Sequence, residues 1–177
     1  MKNITLTLFA LALIFVASAI RADETAFKPG PLVKDYGAIA AVEGVEKLPP
    51  DMKFKVAMDA SKRSEKDKVN PVFDRVARFL NMHVAAGVPA ENIKLAVVIH
   101  GSAVVDVTND ARYGSANPNA ELVKILQSHG VEFIVCGQAA AYHGVVMADL
   151  MPDIRLSLSA MTAHAILQQQ GYTLNPW

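Results

Sequence analysis

Residues Ile93–Gly101 read IKLAVVIHG, and this stretch carries the strongest fold signal in the chain. Apolar residues dominate it without strict alternation, so a strand formed here has apolar side chains on both faces. Strands of that kind occur in parallel sheets that helices cover on both sides. The stretch therefore predicts a buried strand that ends near His100 and Gly101.

Further strand-like and helix-like segments alternate around this stretch. The strand-like segments are FKVAMDA (54–60), VEFIVCG (131–137), IRLSLS (154–159) and YTL (172–174). Helical segments follow or separate them at 71–86, 118–130, 139–151 and 160–171. Such alternation with short connections predicts an α/β fold, a single-domain parallel-sheet sandwich with helices on both faces.

Two of the helix starts carry a capping signal. Asn70 precedes Pro71, and a proline at the first helical position loses no hydrogen bond. Asn117 and Pro118 repeat the pattern, so we expect helices to begin at both prolines. Between the second strand and the second helix, residues 102–116 are expected to form a loop or a short irregular helix.

The N-terminus has the pattern of an export signal. Lys2 precedes a continuous apolar stretch (4–16), and the small residues of ASAIRA follow it. We expect residues 1–22 to be a signal peptide cleaved after Ala19 or Ala22, and the mature protein to be periplasmic with no membrane segment. Cleavage after Ala22 leaves 15 basic and 17 acidic residues, a net charge of −2, which does not favour nucleic-acid binding.

The rest of the chain divides at residue 53. Residues 23–53 are rich in proline and glycine and are expected to form an N-terminal arm over the surface of an α/β domain at 54–177. Phe27, Leu32 and Tyr36 are its candidate anchors.

Cys136 is the only cysteine in the chain, and it ends the third predicted strand. Ligands of open α/β sheets bind beyond the carboxyl ends of the strands, which places Cys136 at the functional edge. A position at a strand end, just before a helix, favours the nucleophilic thiolate form of a cysteine over the thiol. A buried cysteine that acts as a small hydrophobe is the alternative.

The same rule selects the neighbours of Cys136 as ligand-binding candidates. They lie at the tips of three predicted strands: His100, Gly101, Gly137, Gln138 and Ser159. A hydrogen-bonded histidine that caps a loop is the alternative for His100. His164 shares a helical stripe with Ala160 and Leu167, so we expect it to pack in the core.

A metal site built from Cys136 and His100 is a weaker alternative to a reactive thiol. The chain has no CxxC or HExxH motif, and no P-loop or dinucleotide motif. We therefore predict neither a metal nor an organic cofactor.

Three stretches together resemble the DsrE/DsrF-like family, and in particular its exported branch: VVIHGSAV (97–104), 117–144 around VCGQ, and 156–177 with SAMTAHAILQQQGY. The resemblance implies a compact α/β domain that assembles into homo-oligomers, often trimers or hexamers. It also implies sulfur metabolism, because relay members of the family carry sulfur as a persulfide on a cysteine that Cys136 matches. No second cysteine is present to accept or resolve that sulfur.

Two functions follow as hypotheses. In the first, the protein is a periplasmic sulfur carrier that holds a persulfide on Cys136 and exchanges it with a sulfur donor or acceptor protein. In the second, it is a non-catalytic homo-oligomeric module that binds a small ligand or a protein, and Cys136 is structural.

Overall fold

The computed structural model describes residues 24–49 and 51–175, and the predicted signal peptide lies outside them. Its centre is a five-stranded sheet in the order β6-β5-β4-β3-β7, in which every neighbouring pair is parallel. The strands are β1 (Phe27–Lys28), β2 (Ile39–Ala40), β3 (Phe54–Ala60), β4 (Ile93–Ile99), β5 (Glu132–Cys136), β6 (Arg155–Ser157) and β7 (Thr173–Asn175). The helices are α1 (Pro71–Ala85), α2 (Asp110–Tyr113), α3 (Ala120–Ser128), α4 (Gly137–Tyr142) and α5 (Ala160–Gln169).

The predicted α/β class and parallel sheet are confirmed. β4 lies between β3 and β5, and only Lys94 of its residues is exposed, as its uninterrupted apolar sequence requires. β1 and β2 are outside this sheet and form a short antiparallel pair in the arm.

The two faces of the sheet are covered differently. On one face, α1 and α3 pack a large core in which Phe73 meets Phe133 edge to face, with ring centroids 5.4 Å apart. On the other face, Ala163 and Leu167 of α5 pack against a smaller cluster of strand residues: Ala57, Ala96, Val98 and Ile134. Helices therefore lie on both faces, and the face under α5 has the smaller residues.

Of the two predicted helix starts, the one capped by Asn70 is confirmed and the one at Pro118 is corrected. Asn70 caps α1 as predicted, since its side chain accepts a hydrogen bond from the Val72 amide at 2.9 Å. The prediction that Pro118 opens the next helix is wrong, because α3 begins at Ala120. Asn117 instead uses its side chain to bind the Thr108 carbonyl at 2.7 Å and the Asn119 amide at 3.0 Å.

Residues 102–116 are mostly helical, which matches the second of the two predicted forms. A 3₁₀ helix (Gly101–Val107) follows β4 and leads into α2. Its fully buried Asp106 accepts hydrogen bonds from the Ser64 amide and hydroxyl and from the Asn70 side chain. These bonds tie the segment after β3 to the segment after β4, and so fix two of the strand tips relative to each other.

One buried side-chain amide of α1 makes most of the hydrogen bonds between that helix and the arm. Asn81 is fully buried, and its side chain binds five backbone groups: the amides of Leu32 and Val33 and the carbonyls of Val33, Tyr36 and Gly37. Among the expected anchors, Tyr36 also donates to Glu121 at 3.2 Å, whereas Phe27 stays about half exposed. In the described part of the chain, no helix has the length and apolar character needed to cross a membrane.

We expect Asn81→Ala to lower the free energy of unfolding by about 2–4 kcal/mol, because buried backbone groups of the arm would lose their partners. Trypsin should also cut faster after Lys34, which is exposed in the native protein, because the released backbone around it could adapt to the protease. Urea denaturation and limited proteolysis would measure both effects. Arg75→Ala, at an exposed position of the same helix, is the control and should change stability by less than about 0.5 kcal/mol. An Asn81 variant as stable as this control would contradict the assignment.

Candidate functional site

A cleft of about 530 Å³ opens at the carboxyl end of the sheet. It lies where a ligand of a parallel α/β sheet is expected. Five of the six predicted site residues line it, namely Cys136, His100, Gly101, Gln138 and Ser159. The remaining lining residues are Asp59, Ala139, Ala160, Met161 and His164. Gly137 is not part of the lining.

Strand alternation places three of these side chains on the same face of the sheet. Val98 and Ile134 lie under α5, and His100 and Cys136 each follow two residues later. Asp59 has the same relation to Ala57, which also packs under α5. Neighbouring tips of β3, β4 and β5 therefore project their polar residues towards the N-terminal part of α5.

Asp59 connects two histidines in this cleft. Its Oδ2 lies 2.6 Å from Nε2 of His100, and its Oδ1 lies 2.8 Å from Nε2 of His164. His100 comes from the end of β4 and His164 from α5, so the carboxylate joins the sheet to the helix. Nδ1 of His164 is buried and has no hydrogen-bond partner.

Sequence reasoning missed two members of this arrangement. Asp59 was recognisable only as a strand end, and His164 was expected to pack in the core beside Ala160 and Leu167. Leu167 is buried, but His164 lines the cleft and is hydrogen-bonded to a carboxylate. The available signal was that Asp59 has the parity of Ala57, which packs under α5, and is the charged residue at the carboxyl end of β3.

The segment after Cys136 must pass close to the tip of β6. Cys136 is 6% exposed, and Gly137 follows it as the first residue of α4. A Cβ on Gly137 would lie 2.7 Å from the Ser157 carbonyl oxygen, so only glycine fits without displacing backbone. Gln138 then donates to the Leu158 carbonyl at 3.3 Å, across the same gap.

Ser159 and Gly101 have structural roles at the rim of the cleft. The Ser159 hydroxyl caps α5 by accepting a hydrogen bond from the Thr162 amide at 3.0 Å. Gly101 adopts a positive φ of 51°, and a Cβ there would lie 2.6 Å from the Ser61 carbonyl oxygen. Both residues shape the cleft through the backbone.

The described residues do not bring a metal-ligand set together. In 24–49 and 51–175, no three or more His, Cys, Asp or Glu side chains are grouped so that they could hold a metal ion. The two histidine Nε2 atoms are already bound to Asp59.

Comparisons with known proteins agree with this fold. The family model described as the DsrE/DsrF-like family matches residues 52–176. The chain belongs to that family. No curated protein matches the sequence.

Two solved structures show the same DsrE/DsrF-like fold. A protein of unknown function from Methanobacterium thermoautotrophicum is 18% identical with a TM-score of 0.55, and the match covers 71% of this chain and all of that one (100%). The ychN protein from E. coli is 13% identical with a TM-score of 0.50, and the match covers 69% of this chain and 99% of that one. At such identities the likeness supports the fold alone.

We expect Gly137→Ala to lower the free energy of unfolding by about 1–3 kcal/mol, because the added methyl forces the Cys136 turn away from β6. Thermal or urea denaturation would measure the loss. Gln138→Ala is the matched control, since it changes the next, exposed residue and should cost less than about 1 kcal/mol. Equal stability of the two variants would show that the close approach at Gly137 is relaxed in solution.

Proposed function

We propose that this DsrE/DsrF-like protein is a periplasmic sulfur carrier that holds sulfane sulfur as a persulfide on Cys136. The observation that carries the proposal is that Cys136 lines the same cleft as His100, whose ring is hydrogen-bonded to Asp59. A thiol that shares a site with an oriented imidazole has the two parts needed for nucleophilic chemistry.

The position of Cys136 limits how sulfur reaches it. The residue is 6% exposed, so a reagent approaches the thiol through the cleft. A volume of about 530 Å³ accommodates a small sulfur compound together with part of its carrier. Family membership supports sulfur chemistry at this position, and a single thiol carries a persulfide without a metal or an organic cofactor.

The cellular setting of the proposal comes from the sequence. Residues 1–22 have the export pattern, so the carrier would act in the periplasm. With no second cysteine in the chain, the persulfide is passed on to a separate acceptor, and a donor or acceptor protein is the partner we propose.

Incubation with polysulfide should add about one sulfur mass to the folded protein, and a thiol reductant should remove it, since persulfides are reversible thiol modifications. Intact-protein mass spectrometry measures the adduct. Cys136→Ser, which keeps the size of the side chain, should show none.

The contrary result is equally informative. A Cys136 that takes no sulfur and resists an alkylating reagent until the protein is denatured would overturn the carrier proposal. The cysteine would then be structural, and the protein would be a small-ligand or protein-binding module.

Homo-oligomerisation is a second proposal, and exposed apolar residues near the cleft favour it. Leu158 is 72% exposed and Met161 is 81% exposed, and both border the start of α5. Large apolar side chains grouped on a surface are typical of interaction sites. Together with the family resemblance, they support a trimer or hexamer in which this surface is covered by another copy.

A Leu158→Glu, Met161→Glu double variant should reduce the assembly to smaller species, because two carboxylates would be buried unpaired at the contact. Size-exclusion chromatography with light scattering measures the mass. Val45→Glu is the control, as Val45 is 63% exposed but lies in the arm, and it should leave the mass unchanged. A native protein that is monomeric at micromolar concentration would refute this proposal and leave the carrier proposal in place.

A further inference from the structure

A second pocket lies at the carboxyl edge of the sheet, and it is separate from the cleft. Its volume is about 510 Å³, and it shares no lining residue with the cleft. The loop after β3 forms one wall, and the end of α2 with the two residues after it forms the other: Arg63, Ser64, Lys66, Asp67, Tyr113, Gly114 and Ser115. The proposed carrier function uses none of these side chains.

The loop after β3 is anchored from beneath, although most of its side chains are exposed. The Ser64 amide and hydroxyl donate to the fully buried Asp106, at 2.7 and 3.0 Å. The Arg63 amide donates to the Ser102 hydroxyl at 3.0 Å. These bonds fix the backbone from which the Arg63 side chain enters the pocket wall.

The Arg63 side chain is also oriented, and its hydrogen-bond donors are unused. The guanidinium lies over the Tyr113 ring, 4.9 Å from the centroid, which is a cation–π contact. Its Nε lies 3.9 Å from Oδ1 of Asp106, within reach of an ion pair but too far for a hydrogen bond. Among the described residues, no acceptor is hydrogen-bonded to this guanidinium, and the side chain is 45% exposed. An oriented guanidinium with unused N–H groups matches the geometry of an oxyanion such as a carboxylate or a phosphate.

The charges around the pocket favour an oxyanion of low charge. Lys66 is an exposed second cation in the lining. Asp67 also lines the pocket, and Asp106 is buried behind Arg63. Two cations and two carboxylates therefore surround the space, so it does not attract a dianion strongly. A carboxylate carries one negative charge and accepts two parallel N–H···O bonds from a guanidinium, so it suits the pocket better.

We propose that this pocket binds the carboxylate group of a ligand, through paired hydrogen bonds from Arg63 and the charge of Lys66. The proposal does not depend on the carrier function, since it involves neither Cys136 nor the cleft. Two sources offer this chemistry, a small organic acid and the C-terminal end of a peptide chain, and the probes below distinguish them.

The test is a titration of the mature chain, residues 23–177, followed by proton–nitrogen spectra. The reporters are the Arg63 Nε–H and the Gly114 amide, both of which belong to the pocket. The probes are acetate, N-acetyl-dialanine with a free carboxylate, and the C-terminal amide of N-acetyl-dialanine, with chloride added to keep the ionic strength constant. At least one of the two carboxylates should shift both signals to saturation, whereas the amide should not.

The relative affinities identify the source of the carboxylate. Tighter binding of N-acetyl-dialanine than of acetate assigns the pocket to a chain end, and equal or weaker binding assigns it to a small organic acid. Sulfate, a dianion, should bind more weakly than the preferred carboxylate. Sulfate that binds as tightly or more tightly would overturn the assignment to a carboxylate.

Arg63→Gln should raise the dissociation constant of the preferred carboxylate about tenfold or more, because charge-assisted hydrogen bonds are lost. Arg63→Lys should weaken binding nearly as much, since it keeps the charge but not the planar fork. Arg75→Gln removes an exposed arginine of α1 and is the matched control, so the affinity should not change. Equal affinities of Arg63→Gln and Arg75→Gln, or full affinity of Arg63→Lys, would overturn the proposal.

Lys66→Gln gives an independent result if an Arg63 variant misfolds, which circular dichroism would reveal. Lys66 is exposed in the loop, so its replacement should leave the fold intact. The dissociation constant should rise about two- to fivefold, the range of an exposed ion pair. Native affinity in Lys66→Gln would contradict the proposed role of this charge. Native protein in which neither carboxylate shifts the Arg63 and Gly114 signals to saturation would refute the pocket, while Cys136 could still carry sulfur.

Discussion

Side-chain alternation along β3, β4 and β5 is the constraint on which both the core and the cleft depend. One parity sends large residues such as Phe133 into the core under α1 and α3. The other parity sends alanines, Val98 and Ile134 towards α5, and its last positions are Asp59, His100 and Cys136. A shift of one residue in any of the three strands would exchange the two sets, so burying the core also fixes the site.

Buried polar side chains hold the loops at the cleft in place. Asp106 is fully buried and joins the segment after β3 to the segment after β4. Asn117 joins the end of that second segment to α3. Leaving such groups unpaired in the interior is costly, so the loops have few alternative arrangements. This gives His100 a defined position although it lies just beyond the end of β4.

Patterns among sequence neighbours predicted the strands and helices well, but they predicted the side-chain contacts within the site only in part. The apolar run of β4 and the Asn70–Pro71 cap depend on neighbours in sequence, and both were read correctly. The prediction of a helix start at Asn117–Pro118 was wrong because asparagine stabilises turns as readily as helix starts. Here the Asn117 side chain binds the Thr108 carbonyl and the Asn119 amide instead of capping a helix at Pro118. Strand tips located Cys136 and His100 at the cleft, but the pairing of Asp59 with His164 joins residues 105 positions apart. The periodicity of the sequence does not reveal such a distant pair. The helical stripe that contains His164 is also what a residue buried in the core would show.

The proposed self-assembly and access to Cys136 would be linked, because both involve the same surface. Met161 lines the cleft and is 81% exposed, and Leu158, 72% exposed, lies beside the Cys136 turn, where its carbonyl receives Gln138. A copy of the chain packed on these residues would therefore also form part of the cleft wall. Such a wall would exclude water and strengthen the field of Asp59 on anything that enters. The rate of Cys136 alkylation is then expected to differ between the proposed assembly and the monomer, because the contact would cover part of the entrance to the thiol.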